Sequence, residues 1–323
     1  MQVFFYLAEK YLPDAARQEA WKSGTLTTLE ERGKIASVQA WIYQTWLELR
    51  NVGCAVELTH QLPARGIVLA LAGSFGNSFR PGPELFFADI VADGLPHPGG
   101  HLHIVQNAQH ARKLPASVYL PHWPHPNLLP RDLARGDRFE NLGFFGDTTN
   151  LAPALRETAW QDRLRAQTGL SVRVVGADRW HDYREMDGIL AVRGWESRAW
   201  LRKPGTKLYN AWLAGVPFVG GLDSAYLRDG KPGENYLAAA SLEELENHLC
   251  RLKEEPALRH SLVTAGKVAG RSFSREAIAA RWKTLVESTL PEAADKWQRR
   301  SSVSKAVFWK TQAAAAWIDR TFR

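Results

Sequence analysis

Apolar residues along this chain follow two patterns. Short unbroken runs mark strands buried on both faces, and positions three or four apart mark helices. Gln2–Ala8, Cys54–Leu58, Ile67–Leu71, His103–Gln106 and Val118–Leu120 read as strands in the first half. Trp41, Ile42, Trp46 and Leu49 set a helix over Ser37–Val52. The same rhythm restarts at Asn141. Strands are predicted over Leu142–Phe145, Ser171–Gly176, Ile189–Val192 and Phe218–Gly220. Helices are predicted over Leu151–Gln167, Lys207–Ala214, Leu242–Lys253 and Pro256–Lys267.

Strands alternating with helices predict an α/β fold. Two successive halves predict two Rossmann-like domains facing a cleft. Pro121, Pro124, Pro126 and Pro130 mark a linker between them. The expected division is 1–138 for the first domain, 139–290 for the second and 291–323 for a tail.

Composition narrows the class. The 323 residues are 45% hydrophobic and 23% charged, ordinary for a globular protein. Apolar runs are too short to span a bilayer, and Met1–Ala8 lacks the features of a signal peptide. Cys54 and Cys250 sit far apart in apolar runs, which predicts reduced thiols in a cytoplasmic protein. The net charge of +7 is uneven: seven basic residues stand against Asp319 after residue 295. The rest is almost neutral, so no basic stripe predicts a nucleic-acid partner. As a helix, residues 296–323 would be amphipathic and cationic. Such a helix either packs back on the first domain or lies on an anionic membrane surface.

The chain has no Walker A loop, no GxGxxG, no GxSxG elbow and no pair of aspartates separated by one residue. One segment carries chemistry, Lys203 to Val219. Thr206 reads as an N-cap after the Pro204-Gly205 turn. Leu208, Ala211 and Trp212 form one buried face, and Lys207 and Asn210 share another. Gly215 and Pro217 end the helix. Free N–H groups, the helix dipole and the Lys207 charge would together suit a diphosphate; an ordinary capped helix is the plain alternative.

Other candidates lie at strand ends. Arg193 follows Val192 at the edge where α/β sheets bind ligands, and is either a second phosphate contact or a solvated arginine. Gly146 holds the equivalent place after Phe145, as a close backbone approach or a plain turn. Six histidines fall between residues 97 and 125. Two of them, His101 and His103, would share a strand face, but a metal site would need a third ligand. His103 is a candidate general base, and Asp89 is the alternative.

The stretch from Gly205 to Val219 resembles the nucleotide-sugar domain of GT-B-fold glycosyltransferases of the family 4 type. That family often carries Pro-x-Lys-Leu-x-Glu, then Ala-x-Gly-x-Pro-Val-Val. The segments Gly233 to Leu237, Ser241 to Leu245, Pro256 to Arg259 and Phe273-Ser274 are similar to its later stretches. The likeness spans roughly residues 140–285; the first half shares only the strand–helix rhythm. It implies transfer of a sugar from a nucleotide-sugar donor to a glycan or lipid-linked acceptor hydroxyl, without a metal or separate cofactor. Lys207 would meet the donor diphosphate, and Thr206 would lie beside it. The family's ribose-binding glutamate is Asn210 here, and the usual glycine-rich loop after the first strand is missing. A 2-epimerase of nucleotide sugars and a non-catalytic binding protein of the same fold are the alternatives.

Overall fold

The computed structural model describes residues 1–23, 38–196 and 199–321, apart from the side chains of residues 21, 313 and 315–321. The chain divides into two compact units. One holds residues 1–23, 38–122 and 276–321; the other holds residues 123–196 and 199–275.

The first unit is built on β1 (Val3–Tyr6), β2 (Val56–Thr59), β3 (Gly66–Leu71), β4 (Leu85–Ile90), β5 (Leu102–Val105) and β6 (Ser117–Tyr119). Every neighbouring pair is parallel, in the order β2-β1-β3-β4-β5-β6. All of β3 is buried, as its unbroken apolar run predicts. On one side Val68, Ala70 and Phe87 pack with Phe75 and Phe79, whose rings stack at 4.5 Å. The Trp282 ring lies 6.2 Å from Phe5 and 6.4 Å from Trp41.

Two departures from the sequence pattern are instructive. The strand β4 was not among the expected ones. Its buried Asp89 interrupts an otherwise apolar run, and is tolerated there because β5 supplies a partner. The helix expected over Ser37–Val52 begins as a π-helical stretch, Gln39–Gln44, and continues as Thr45–Asn51; Ser37 lies outside the described residues.

Helical segments from Glu276 onward complete this unit, burying Ile278, Trp282, Leu285, Leu290 and Trp297. The terminal helix Ser302–Thr321 belongs to it too. The His101 ring lies 4.5 Å from Trp297 and 4.9 Å from Trp309, and Gln312 reaches His103. The tail therefore packs back on the first unit, while Val303 and Val307 on its other side are exposed. Among the described residues no helix is long and apolar enough to cross a membrane.

The second unit contains β7 (Asn141–Phe145), β8 (Ser171–Val175), β9 (Gly188–Ala191), β10 (Phe218–Gly220) and β11 (Leu237–Ala238). They form a parallel sheet in the order β8-β7-β9-β10-β11. Alternation along the strands feeds two cores. Phe144, Leu190 and Val192 join Trp160, Leu164, Leu245 and Leu249 on one side. Phe145, Ile189 and Ala191 join Leu208, Ala211 and Trp212 on the other. The helix expected over Leu151–Gln167 is two, Pro153–Arg156 and Thr158–Thr168. Glu157 between them is extended, and its carbonyl accepts the N–H groups of Trp160 and Gln161 to start the second.

The units divide at His122/Trp123 and at Arg275/Glu276, not at the expected 138/139 and 290/291. The proline-rich stretch is tied to the second unit. Leu129 exchanges backbone hydrogen bonds with His181 and Tyr183, and Arg131 and Arg135 both reach Asp187.

Candidate functional site

In the second unit the strand order reverses between β7 and β9, so ligands of such a sheet are expected at the carboxyl ends of these two strands. Gly146 follows β7 directly, with φ +156°. A Cβ built there would stand 3.3 Å from both Cε and Nζ of Lys207. The Lys207 amine also lies 5.7 Å from the centre of the Phe144 ring. Two residues singled out separately in the sequence thus meet at one point.

Arg193 follows β9. Its Nε donates to Asp223 Oδ2 at 2.8 Å and its Nη1 to Asn150 Oδ1, with the Trp200 ring 5.9 Å away. Both members of the Arg193–Asp223 pair are buried. Burial pushes the Asp223 carboxyl up, although Arg193, Lys207 and Lys203 all pull it down. Arg193, Lys203 and Lys207 thus all act electrostatically on Asp223 at this edge. Asp223 and Asn150 were not picked out from the sequence; the Gly220-Gly221 pair after a short apolar strand is the signal that marks Asp223.

The helix Thr206–Ala214 starts one residue earlier than a Thr206 cap would place it. Gly205 is the cap residue, and its carbonyl accepts the N–H groups of Leu208 and Tyr209. A Cβ on Gly205 would meet the Tyr209 hydroxyl at 2.6 Å, so it is the close approach of that ring, not the backbone angle, that favours glycine here. Thr206 is corrected from cap to first helical residue. Its Oγ1 is buried with no hydrogen-bond partner among the described residues.

Asn210 does not share an open face with Lys207. It is buried, and its Oδ1 accepts the His125 N–H at 3.1 Å. The Tyr183 hydroxyl also bonds to it. The amide ties the chain near His125 to the helix, and the oxygen expected to face a ribose is already engaged.

In the first unit, His103 and Asp89 are not alternatives but one pair. They are register partners on β5 and β4, and His103 Nδ1 lies 2.6 Å from Asp89 Oδ1. Asp89 Oδ2 accepts the His97 N–H at 2.9 Å, and His103 Nε2 lies 3.1 Å from Gln312 Oε1. Both residues are buried, and both nitrogens of His103 are engaged. A general base must offer a nitrogen to the acceptor hydroxyl, and this arrangement offers none. The pair instead joins two strands to the terminal helix. Gly100 makes room for it, since a Cβ there would fall 2.1 Å from Asp89 Oδ1.

The remaining histidines of this stretch are mostly interior. His101 stacks on Phe86 and accepts the Phe87 N–H; burial pushes its pKa down to about 3. Burial also lowers His97. Among the described residues no group of three or more His, Cys, Asp or Glu is placed to hold a metal ion.

No protein-family model matches the chain, and no curated protein matches its sequence. Solved structures do match its fold. Sucrose-phosphate synthase from Thermosynechococcus elongatus is similar with a TM-score of 0.55 at 11% identity, over 90% of this chain and 100% of that one. HepE from Anabaena, solved with UDP and glucose, is similar with a TM-score of 0.52 at 12% identity, over 89% of this chain and 100% of that one. A TarM variant from S. aureus, solved with UDP, reaches 0.50 at 10% identity, over 76% of this chain and 59% of that one. The fold is α/β of the GT-B glycosyltransferase type, with two Rossmann-like units.

Proposed function

We propose that this protein transfers a sugar from a nucleotide-sugar donor to a hydroxyl acceptor. The observation that carries the reading is the meeting of Lys207 with Gly146 beside Arg193, at the switch point of a sheet in the GT-B fold. That HepE was solved with UDP-glucose supports a nucleotide sugar as the donor class. In this reading the second unit holds the donor and the first unit the acceptor, a glycan or lipid-linked hydroxyl. The bond from the sugar's anomeric carbon to the diphosphate breaks, a bond to the acceptor oxygen forms, and the acceptor proton departs.

Lys207, the Thr206 hydroxyl and the N–H groups at the start of their helix face the leaving diphosphate, with Arg193 behind them. Charge grows on that diphosphate as its bond breaks, so cations already fixed there lower the barrier. This is the work a metal does elsewhere, and metal-independent transfer follows. Asn210 acts by holding the chain near His125, not by binding ribose.

A second reading has its own observation. With Asn210 engaged at the glutamate position, a nucleotide-sugar-binding protein without turnover fits the same site. A panel of UDP- and GDP-sugars separates the readings. Stabilisation by one donor is expected at about 2.7 kcal/mol for ligand at 100 times Kd. Release of free nucleotide on adding an acceptor marks the transferase. Binding with no turnover for any acceptor marks the binding protein. Conversion of the free nucleotide sugar without acceptor marks the epimerase.

A further inference from the structure

The second unit carries a separate cavity of about 450 Å³, within the range of small-molecule pockets. Arg135, Arg138, Arg173, Arg179 and Arg184 line it, against Asp132, Asp182 and Glu185. Val174 and Val175 of β8 also line it, and β8 is the last strand on this side of the sheet.

The cavity has its own lining, although Val175 at the carboxyl end of β8 pairs in register with Phe145, just before Gly146. Arg135 binds Asp187, which also accepts the N–H groups of Glu140 and Asn141 at the start of β7. Gly146 and Arg193 follow the opposite ends of β7 and β9. None of Gly146, Arg193, Thr206, Lys207 or Asn210 lines the cavity.

Most of its charges are paired. Arg184 is paired with Asp182 at 2.9 Å and Arg173 with Glu185 at 2.8 Å. Asp187 is fully buried and holds two guanidinium groups at once, Arg135 at 2.7 Å and Arg131 at 2.9 Å. Arg135 also pairs with Glu140 at 3.8 Å, so these two cations are matched by two carboxylates. Arg138 donates only to the carbonyls of Arg135 and Ala134. Arg179 has no side-chain partner among the described residues. Two guanidinium groups at the cavity therefore stand without a carboxylate partner among the described residues, while the other arginines named here are paired. A guanidinium has five N–H donors in a planar fork that matches two oxygens of one oxyanion.

We propose that this cavity is a binding site for a small molecule bearing two or more oxyanion groups, held chiefly by Arg138 and Arg179. The ionised groups can be phosphates or carboxylates. Two probes separate these sources, tripolyphosphate and citrate, titrated calorimetrically into the whole protein at low salt. Binding of at least one is expected, weakening as salt rises. UDP at saturation is expected to leave that binding in place. The double variant R138A/R179A should weaken it about tenfold or more, and Lys207→Ala less than about twofold. Neither arginine holds the fold through a carboxylate, so the double variant should stay folded, and the UDP competition tests the unaltered protein in any case. A response to tripolyphosphate alone assigns the site to phosphates; a response to citrate alone assigns it to carboxylates. Binding of neither probe, loss of binding under UDP, or unchanged affinity in R138A/R179A would overturn the proposal.

Discussion

The amine of Lys207 stands 3.3 Å from the point that a Cβ on residue 146 would occupy. The bare backbone at Gly146 and the lysine are therefore one device. The glycine clears the space in which the lysine sits at the carboxyl edge of β7.

Gly146→Val should displace Lys207 and mimic part of its loss. Lys207→Ala is expected to weaken UDP or GDP binding about 10–100-fold, the worth of a charge-assisted bond at ~1.5–3 kcal/mol. Calorimetry on both variants checks this. Wild-type affinity in Lys207→Ala, with the fold intact, would move the diphosphate elsewhere.

Turnover should survive EDTA. The motive is the fixed charge of Lys207 and Arg193 at the carboxyl ends of β7 and β9, which can meet the leaving group. A rate abolished by chelation and restored by Mn²⁺ or Mg²⁺ would refute metal independence.

Acid should destabilise the first unit through His101. Its pKa is about 3 when folded, against 6.5 ordinarily, so the unfolded chain takes up its proton first. The contribution is complete above pH 6.5 and is lost as pH falls from there toward about 3. The full difference is on the order of 5 kcal/mol. Urea unfolding at pH 7 and pH 4 should show a smaller loss in His101→Gln than in wild type. Equal losses would remove His101 from the account.

Breaking the buried pair should be costly. His103→Ala leaves Asp89 buried without its main partner, and about 3–5 kcal/mol is expected from urea unfolding. Gln312→Ala should cost less, about 1–3 kcal/mol. The same measurements on a chain lacking residues 296–323 test whether the tail acts by packing. Co-sedimentation of that truncated chain with anionic liposomes tests the alternative to packing, a lipid contact made through the tail's charge. An unchanged bound fraction would reject that contact.

Sequence reasoning found the parts of this fold in which side chains pattern locally. The runs that became β3 and β7 are unbroken and apolar, and Leu208, Ala211 and Trp212 mark their helix by spacing alone. It missed features decided by distant partners. The strand β4 was hidden because Asp89 becomes acceptable in a core only once His103, on another strand, is beside it. The true neighbour of Arg193 is Asp223, thirty residues on. Asn210 looked open at helical spacing, yet the chain at His125 covers it. Thr206 looked like a cap because threonine caps many helices, but Gly205 allows a tighter start.

The first unit is not continuous along the chain: its last part begins at Glu276, after the whole of the second unit. During synthesis the second unit is complete while Gln312, which reaches the His103–Asp89 pair, has yet to be made. At ~5–20 residues per second, the ribosome needs roughly 8–30 s to pass from His122 to Glu276. Through that interval the sheet of the first unit lacks Trp282, Trp297 and Gln312, and the side that they cover stays bare. The unit that finishes last is thus the one begun first, and its apolar face is the surface left uncovered longest while the chain is being made.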